Sequence, residues 1–414
     1  MKTFTISGTI FRAPRVPRAR ASRARVRASA SPARSTAARA AHDAAMRALG
    51  LALGLTLGLT AAFADARPDP GIAPDAWMAD ASIRARPLGA LILPGAHDAA
   101  TNWLSPEIQP GSSTQLPKWL AEALKAAERL GIPADQIVRR WARAQTATVG
   151  ELMARGARYL DVRCGWESSL SEWRVHHALV GRMVDETLEE VKAFLVEHPS
   201  ELAIVELSHF LGDPDAAAVE RLATVVEEIF GDLLAPYPGS TTKLYEMQLG
   251  RDFVDQNRRV LIVFEDADVA AKHSFWPAKT ITNTYADSDD ERFMESFNRD
   301  VVVAFNEPSF AEEALLKLSW TLTTQPRTVL EALNVFEPSN PHSLIELASR
   351  RANPKLSGFA DSATSFRCAV ANVIVVDDFV NSDALEVALR LNAAGPFPRG
   401  ECAWPAPARV ASSK

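Results

Sequence analysis

The sequence predicts an α/β fold: a (β/α)8 TIM-type barrel, with room for distortion and with an insertion after the first strand. Three observations carry that prediction. Eight short apolar runs alternate with helix-like stretches: Ala90–Leu93, Arg158–Val162, Arg174–His176, Leu202–Leu207, Val260–Phe264, Val301–Phe305, Ser319–Thr321 and Val373–Val376. Such alternation argues for parallel β/α units. The ionisable residues His97, Asp161, Arg163 and His177 fall at the ends of these runs, where barrels of this kind carry their active groups. Finally, the length beyond a leader suits one barrel with insertions.

The leader comprises residues 1–66. Residues 1–42 hold no Asp or Glu among many Arg, Ala and Ser, then Met46-Arg47 precedes an apolar stretch to Phe63 and an Ala64-Asp65-Ala66 exit. A charged start, a run too short to span a bilayer and a small-residue exit suit an export signal. Two arrangements fit. The chain starts at Met46 and is exported, secreted or periplasmic; or residues 1–45 address a plastid and the remainder the thylakoid lumen. The barrel is expected over residues 67–395 and a peripheral tail over 396–414.

Helix signals separate the strands. Val184, Leu188, Val191 and Leu195 recur at helical spacing, with Glu186, Glu189, Glu190 and Lys192 between them, predicting a helix over 184–198 that stops before Pro199. Residues 219–230 read similarly, ended by Gly231. Residues 105–145 form the insertion, with a helix expected over 116–130 and a second segment to Arg143.

Charge limits the partners. The chain carries a formal net charge of −6, and residues 1–66 contribute eleven Lys/Arg against two Asp/Glu, which leaves −15 on the rest. So acidic a surface opposes nucleic acid, and phosphate binding must rest on a few local arginines. Cys164, Cys368 and Cys402 lack metal-ligand spacing; a Cys368–Cys402 bridge and buried free thiols both remain open.

Three segments carry chemistry. Leu93-Pro94-Gly95-Ala96-His97-Asp98 ends an apolar run in a His-Asp pair; Gln145–Arg163 ends in Asp161-Val162-Arg163; Val175-His176-His177 closes a third. Two imidazoles, carboxylates to orient them and one guanidinium suit metal-free cleavage of a phosphodiester, because imidazole titrates near neutrality and arginine offers paired donors to phosphate. A single histidine is more often structural than catalytic; the ordered set changes that balance. His176 is the outward neighbour of His177 by strand alternation, with the swapped assignment still open. His198 and His209 read as structural, and the acidic Asp287–Glu291 stretch as a solvated loop.

These motifs, followed by Glu190–Phe210, resemble the phosphatidylinositol-specific phospholipase C (PI-PLC) X-domain superfamily, especially its calcium-independent bacterial and X-domain-containing members. The resemblance implies a phospholipase C-type phosphodiesterase acting on phosphatidylinositol or a related inositol phosphodiester at a membrane interface, as a monomer and without metal or other cofactor. It makes His97 the general base, His177 the general acid, Arg163 the phosphate ligand, and Asp98 and Asp161 supporting carboxylates. Asp377-Asp378 offers two candidates to orient His97; Asp378 is favoured because Phe379 follows it. Ala96, Ala99 and Ala178 depart from the Thr, Ser and Gly that the family prefers there. Two rivals stand beside this reading: a metal-dependent glycerophosphodiesterase-like barrel, which expects a Glu-x-Asp pair this chain lacks, and a non-catalytic phosphoinositide-binding module.

Overall fold

The structure, a computed structural model, describes residues 73–112, 134–308, 314–332, 339–395 and 399–405, with isolated positions between them. The leader and nearly all of the helix expected over 116–130 lie outside the described residues. Eleven strands join in one sheet: β1 (Leu93–Ala96), β2 (Leu104–Ile108), β3 (Tyr159–Glu167), β4 (Glu172–His177), β5 (Leu179–Met183), β6 (Ala203–Leu211), β7 (Val260–Phe264), β8 (Trp276–Pro277), β9 (Ile281–Thr284), β10 (Leu315–Trp320) and β11 (Val373–Val376). Eight of them run parallel in the order β9-β10-β11-β1-β3-β6-β7-β8. Among the described residues no pairing joins β8 to β9, so the barrel-like sheet is open at that seam.

The strand expectations need three corrections. Ala90–Leu93 meets β1 only at Leu93, because Leu88–Ala90 forms a single 3-10 turn and the strand runs on through Pro94 to Ala96. Val301–Phe305 is the last turn of a helix, Glu291–Phe305, whose buried residues Met294, Asn298, Val302 and Phe305 follow a helical stripe. Arg174–His176 is a strand but stands outside the parallel path, in an antiparallel meander β3-β4-β5-β2 that rises from the end of β3. Their places in the parallel set are taken by the short strands β8 and β9. Elsewhere the apolar pattern reads through: β7 and β11 span the expected residues, and the 184–198 prediction becomes a helix over Val184–Glu197.

Alternation along the parallel strands sorts the core into two faces. Leu160, Val162, Val205, Leu207, Ile262, Phe264, Leu316, Leu318, Ile374 and Val376 join one buried cluster, which also holds helix residues such as Val191, Leu195, Leu222 and Phe359. Leu93, Tyr159, Ile204, Leu261, Leu315, Val373 and Val375 join the other. The second set shares its strand phase with His97, Asp161, Arg163, Glu206, Lys317 and Asp377, so the lumen is apolar low down and charged toward the strand ends. Gly95 keeps its layer narrow: a Cβ there would lie 2.8 Å from Val375 Cγ1 and 3.0 Å from Tyr159 Cβ.

Residues 399–405 are tied to the body. Cys402 is bridged to Cys368, and Trp404 packs on Phe359 and Phe366, which resolves the cysteine alternatives in favour of the bridge. No helix among the described residues is long and apolar enough to cross a membrane.

Candidate active site

Parallel register builds one rim of the site. β1 pairs with β11 (Ala96 beside Val376) and with β3 (Ala96 beside Leu160), so the next residues, His97, Asp377 and Asp161, emerge together. His97 Nδ1 lies 2.7 Å from Asp377 Oδ1. This corrects the preference for Asp378. That residue has left the strand, with φ at +50°, and its carboxylate accepts from Thr146 Oγ1 and Asn381 Nδ2 instead. One step along a strand reverses the face, and the register selects Asp377.

The meander supplies the opposite rim. β3 runs past the parallel set to Glu167, and β4 returns antiparallel to it and brings His177 back to the level of Arg163. The rings of His97 and His177, eighty positions apart in sequence, have centroids 6.4 Å apart. His177 Nδ1 donates to the Ala142 carbonyl at 2.6 Å, so Nε2 is its exchangeable nitrogen. The neighbouring His176 is buried and donates to the His209 carbonyl at 2.8 Å, which settles the order of the pair. Ala178, where φ is +62°, occupies a backbone region that glycine enters more easily.

Asp98 lies beneath both rings. Its side chain is wholly buried, 2.6 Å from Arg163 Nε, 3.5 Å from His97 Nε2 and 3.4 Å from His177 Nδ1. Arg163 Nη2 approaches His97 Nε2 at 3.1 Å, a hydrogen bond that requires the neutral ring with its proton on Nδ1 toward Asp377. His97, Asp161, Arg163 and His177 line one cavity of about 480 Å³ at the strand C-termini, together with Trp141, His209, Tyr285 and Ser319.

Electrostatics separate the two imidazoles. Burial alone would weaken the affinity of His97 for a proton, but Asp98 and Asp377 outweigh it and lift its pKa to about 9. Burial dominates at His177 and, with help from Arg163 and His97, lowers its pKa despite Asp98. Burial would raise the pKa of Asp98, yet Arg163 and the two imidazoles hold it below the usual carboxylate range.

Some of the site was missed in the sequence. Lys317 on β10 is buried and reaches across the lumen to Glu206, at 2.5 Å, and Asp161, at 3.5 Å; with Arg163 it holds Asp161 ionised against burial. A lone lysine within the apolar run Leu315–Trp320 was its signal, but the expected strand began only at Ser319. Gln145 ties the site together, donating to the carbonyls of His97 and Val376 and accepting from the Phe379 amide.

No family model matches the chain. Curated relatives do. The chain is 23% identical over 322 residues to PI-PLC X domain-containing protein 3 of Bos taurus, covering 76% of this chain and 92% of that one. It is 29% identical over 197 residues to human PI-PLC X domain-containing protein 1, covering 46% and 56%. The chain resembles the PI-PLC X-domain superfamily. A Staphylococcus aureus phosphatidylinositol-specific phospholipase C shares its fold, with a TM-score of 0.50 at 13% identity, covering 76% of this chain and 97% of that one. The resemblance expected from the PI-PLC motifs is thereby borne out, and so is a mixed α/β, barrel-like architecture.

Proposed function

We propose that this protein is a phosphodiesterase of the PI-PLC type, cleaving phosphatidylinositol or a related inositol phosphodiester at a membrane interface by acid–base catalysis. The observation that carries the proposal is the meeting of His97 and His177 on one cavity, with Arg163 against His97 and 6.4 Å separating the ring centroids. That spacing leaves room for a phosphoryl group whose entering and departing oxygens face different imidazoles.

In this reading His97 Nε2 takes the proton from an inositol hydroxyl, which attacks the phosphorus. Asp377, on Nδ1, stabilises the imidazolium as it forms. Arg163 turns its guanidinium to the phosphate oxygens and offsets the developing charge. His177 Nε2–H protonates the departing glycerol oxygen. In a second step water opens the cyclic phosphate with the two roles reversed. Holding both reactants on one molecule removes much of the entropic barrier to the first step.

His97, Asp98 and Asp161 offer ligand atoms within 4.8 Å of one another, a set that invites a cation. Arg163 competes for it, because its guanidinium already engages Asp98 and His97. A metal ion there would displace Arg163 or meet its charge, so no step is routed through a metal. The Cys368–Cys402 bridge supports an exported or lumenal setting, since such bridges persist in oxidising compartments.

The test is release of water-soluble inositol phosphate from phosphatidylinositol vesicles in excess EDTA. Wild-type protein is expected to be active. His97→Ala and His177→Ala are each expected to lose about 10²–10⁴-fold with little change in Tm. Full activity in His97→Ala ends the proposal. Loss in EDTA restored by magnesium transfers it to the metal-dependent rival, and binding without turnover to a non-catalytic module.

A further inference from the structure

A second cavity, of about 240 Å³, opens at the other end of the parallel strands. It is lined by residues that precede β1 and β11, among them Leu91, Ile92, Val370 and Asn372, and by Tyr245 and Arg399. Arg399 is unusual in two ways. Its guanidinium carbon lies over three aromatic rings, 4.0 Å from the centroid of Phe305, 4.7 Å from Tyr245 and 5.4 Å from Phe310. Its Nε, Nη1 and Nη2 are all buried, and none has a hydrogen-bond partner among the described residues.

The two features differ in what they satisfy. Aromatic faces attract positive charge but accept no strong N–H hydrogen bond, so the cage meets the charge of Arg399 and leaves its donors unmet. Leaving buried donors unpaired costs on the order of 1–3 kcal/mol each, more beside a charge. A planar guanidinium edge matches a carboxylate through two parallel N–H···O bonds. Among the described residues lining the cavity, the two asparagines do not compete. Asn372 bridges the Leu316 amide and the Gly89 carbonyl, and Asn392 bridges the Ile92 amide and carbonyl. The remaining wall is largely apolar. Nearby, the Cys368–Cys402 bridge anchors the segment that carries Arg399.

We infer that this cavity binds a small amphiphilic monocarboxylate, its head on the Arg399 edge and its short apolar body against Leu91, Ile92 and Val370. The site is separate from the phosphodiester cavity, since it lies beyond the opposite ends of β1 and β11. The three nitrogens are covered, so the wall around Arg399 must give for the carboxylate head to reach them.

Calorimetric titration of the full chain with hexanoate tests the inference, with 1-hexanol and inorganic phosphate as controls. Hexanoate is expected to bind one-to-one, and 1-hexanol is not, because it brings no anion. Phosphate is expected to follow Arg163 rather than Arg399. Arg399→Met is expected to weaken hexanoate at least tenfold. Arg399→Lys, which keeps the charge over the rings but loses the planar fork, guards against a folding failure and is expected to weaken it similarly. Arg163→Met is expected to leave hexanoate binding intact, and Arg399→Lys to leave vesicle hydrolysis intact. Absence of hexanoate binding to wild type, unchanged affinity in Arg399→Lys, or loss of binding in Arg163→Met each overturns it.

Discussion

Arg158 and Arg163 stand five residues apart, one just before β3 and one within it, and they show how a residue type divides between structure and chemistry. Arg158 is fully buried and saturated. Its Nε and Nη2 meet Glu201 Oε2 at 2.8 and 2.6 Å, Nη1 donates to the carbonyls of Met153 and Ala157, and Nη2 also reaches those of Pro74 and Asp75. Glu201 in turn accepts from the Met78 amide, so the pair fastens the 74–78 segment below the barrel. Arg163 has one carboxylate partner and one imidazole, and its side chain is 23% exposed to the cavity. A guanidinium with every donor occupied is locked in place. One with donors to spare is free to meet a substrate.

Replacing each arginine should therefore damage a different property. Arg158→Met leaves Glu201 buried without its counter-charge, and the expected cost is about 3–5 kcal/mol of unfolding free energy by urea titration. Activity per folded molecule should be unchanged; a large drop in it would erase the distinction. Arg163→Lys keeps a charge but loses the two-donor fork, and kcat on phosphatidylinositol vesicles is expected to fall about 10²–10³-fold with Tm nearly unmoved. A loss of stability matching that of Arg158→Met would show that Arg163 is structural as well.

The finest discrimination is in pH dependence. The proposed mechanism needs His97 neutral and His177 protonated, so the pair must hold one proton between them. The raised pKa of His97, about 9, and the lowered pKa of His177 predict a broad maximum of kcat/KM between those two limits. Asp377→Asn removes one carboxylate that raises His97, so the alkaline limb is expected to move down from about 9 toward neutrality. An alkaline limb that stays in place means that Asp377 does not govern His97. In Asp378→Asn that limb is expected to stay, because its carboxylate is engaged with Thr146 and Asn381.

Much of this was legible in one dimension. Val260–Phe264, Val373–Val376 and the 184–197 helix announce themselves through apolar runs or a helical stripe, and His97, Asp161, Arg163 and His177 were visible as polar residues ending such runs. The Val301–Phe305 error has a local cause. A five-residue apolar, β-branched stretch reads as a strand until the spacing from Met294 is counted back through it. The preference for Asp378 has a different one. β11 is buried at all four positions, so its sequence shows no alternation from which to tell the lumen phase.

Local chemistry along the chain was thus enough to name the strand class, the leader-like composition and the imidazole–guanidinium set, because apolar spacing and side-chain type are properties of neighbouring residues. Tertiary structure alone decided the rest: which aspartate orients His97, that Lys317 crosses the lumen, that the seam between β8 and β9 is open, and that Arg399 sits in an aromatic cage. Each of these depends on register or on contacts between distant segments, and a backbone whose side chains alternate every residue offers two equally plausible faces until a neighbouring strand selects one.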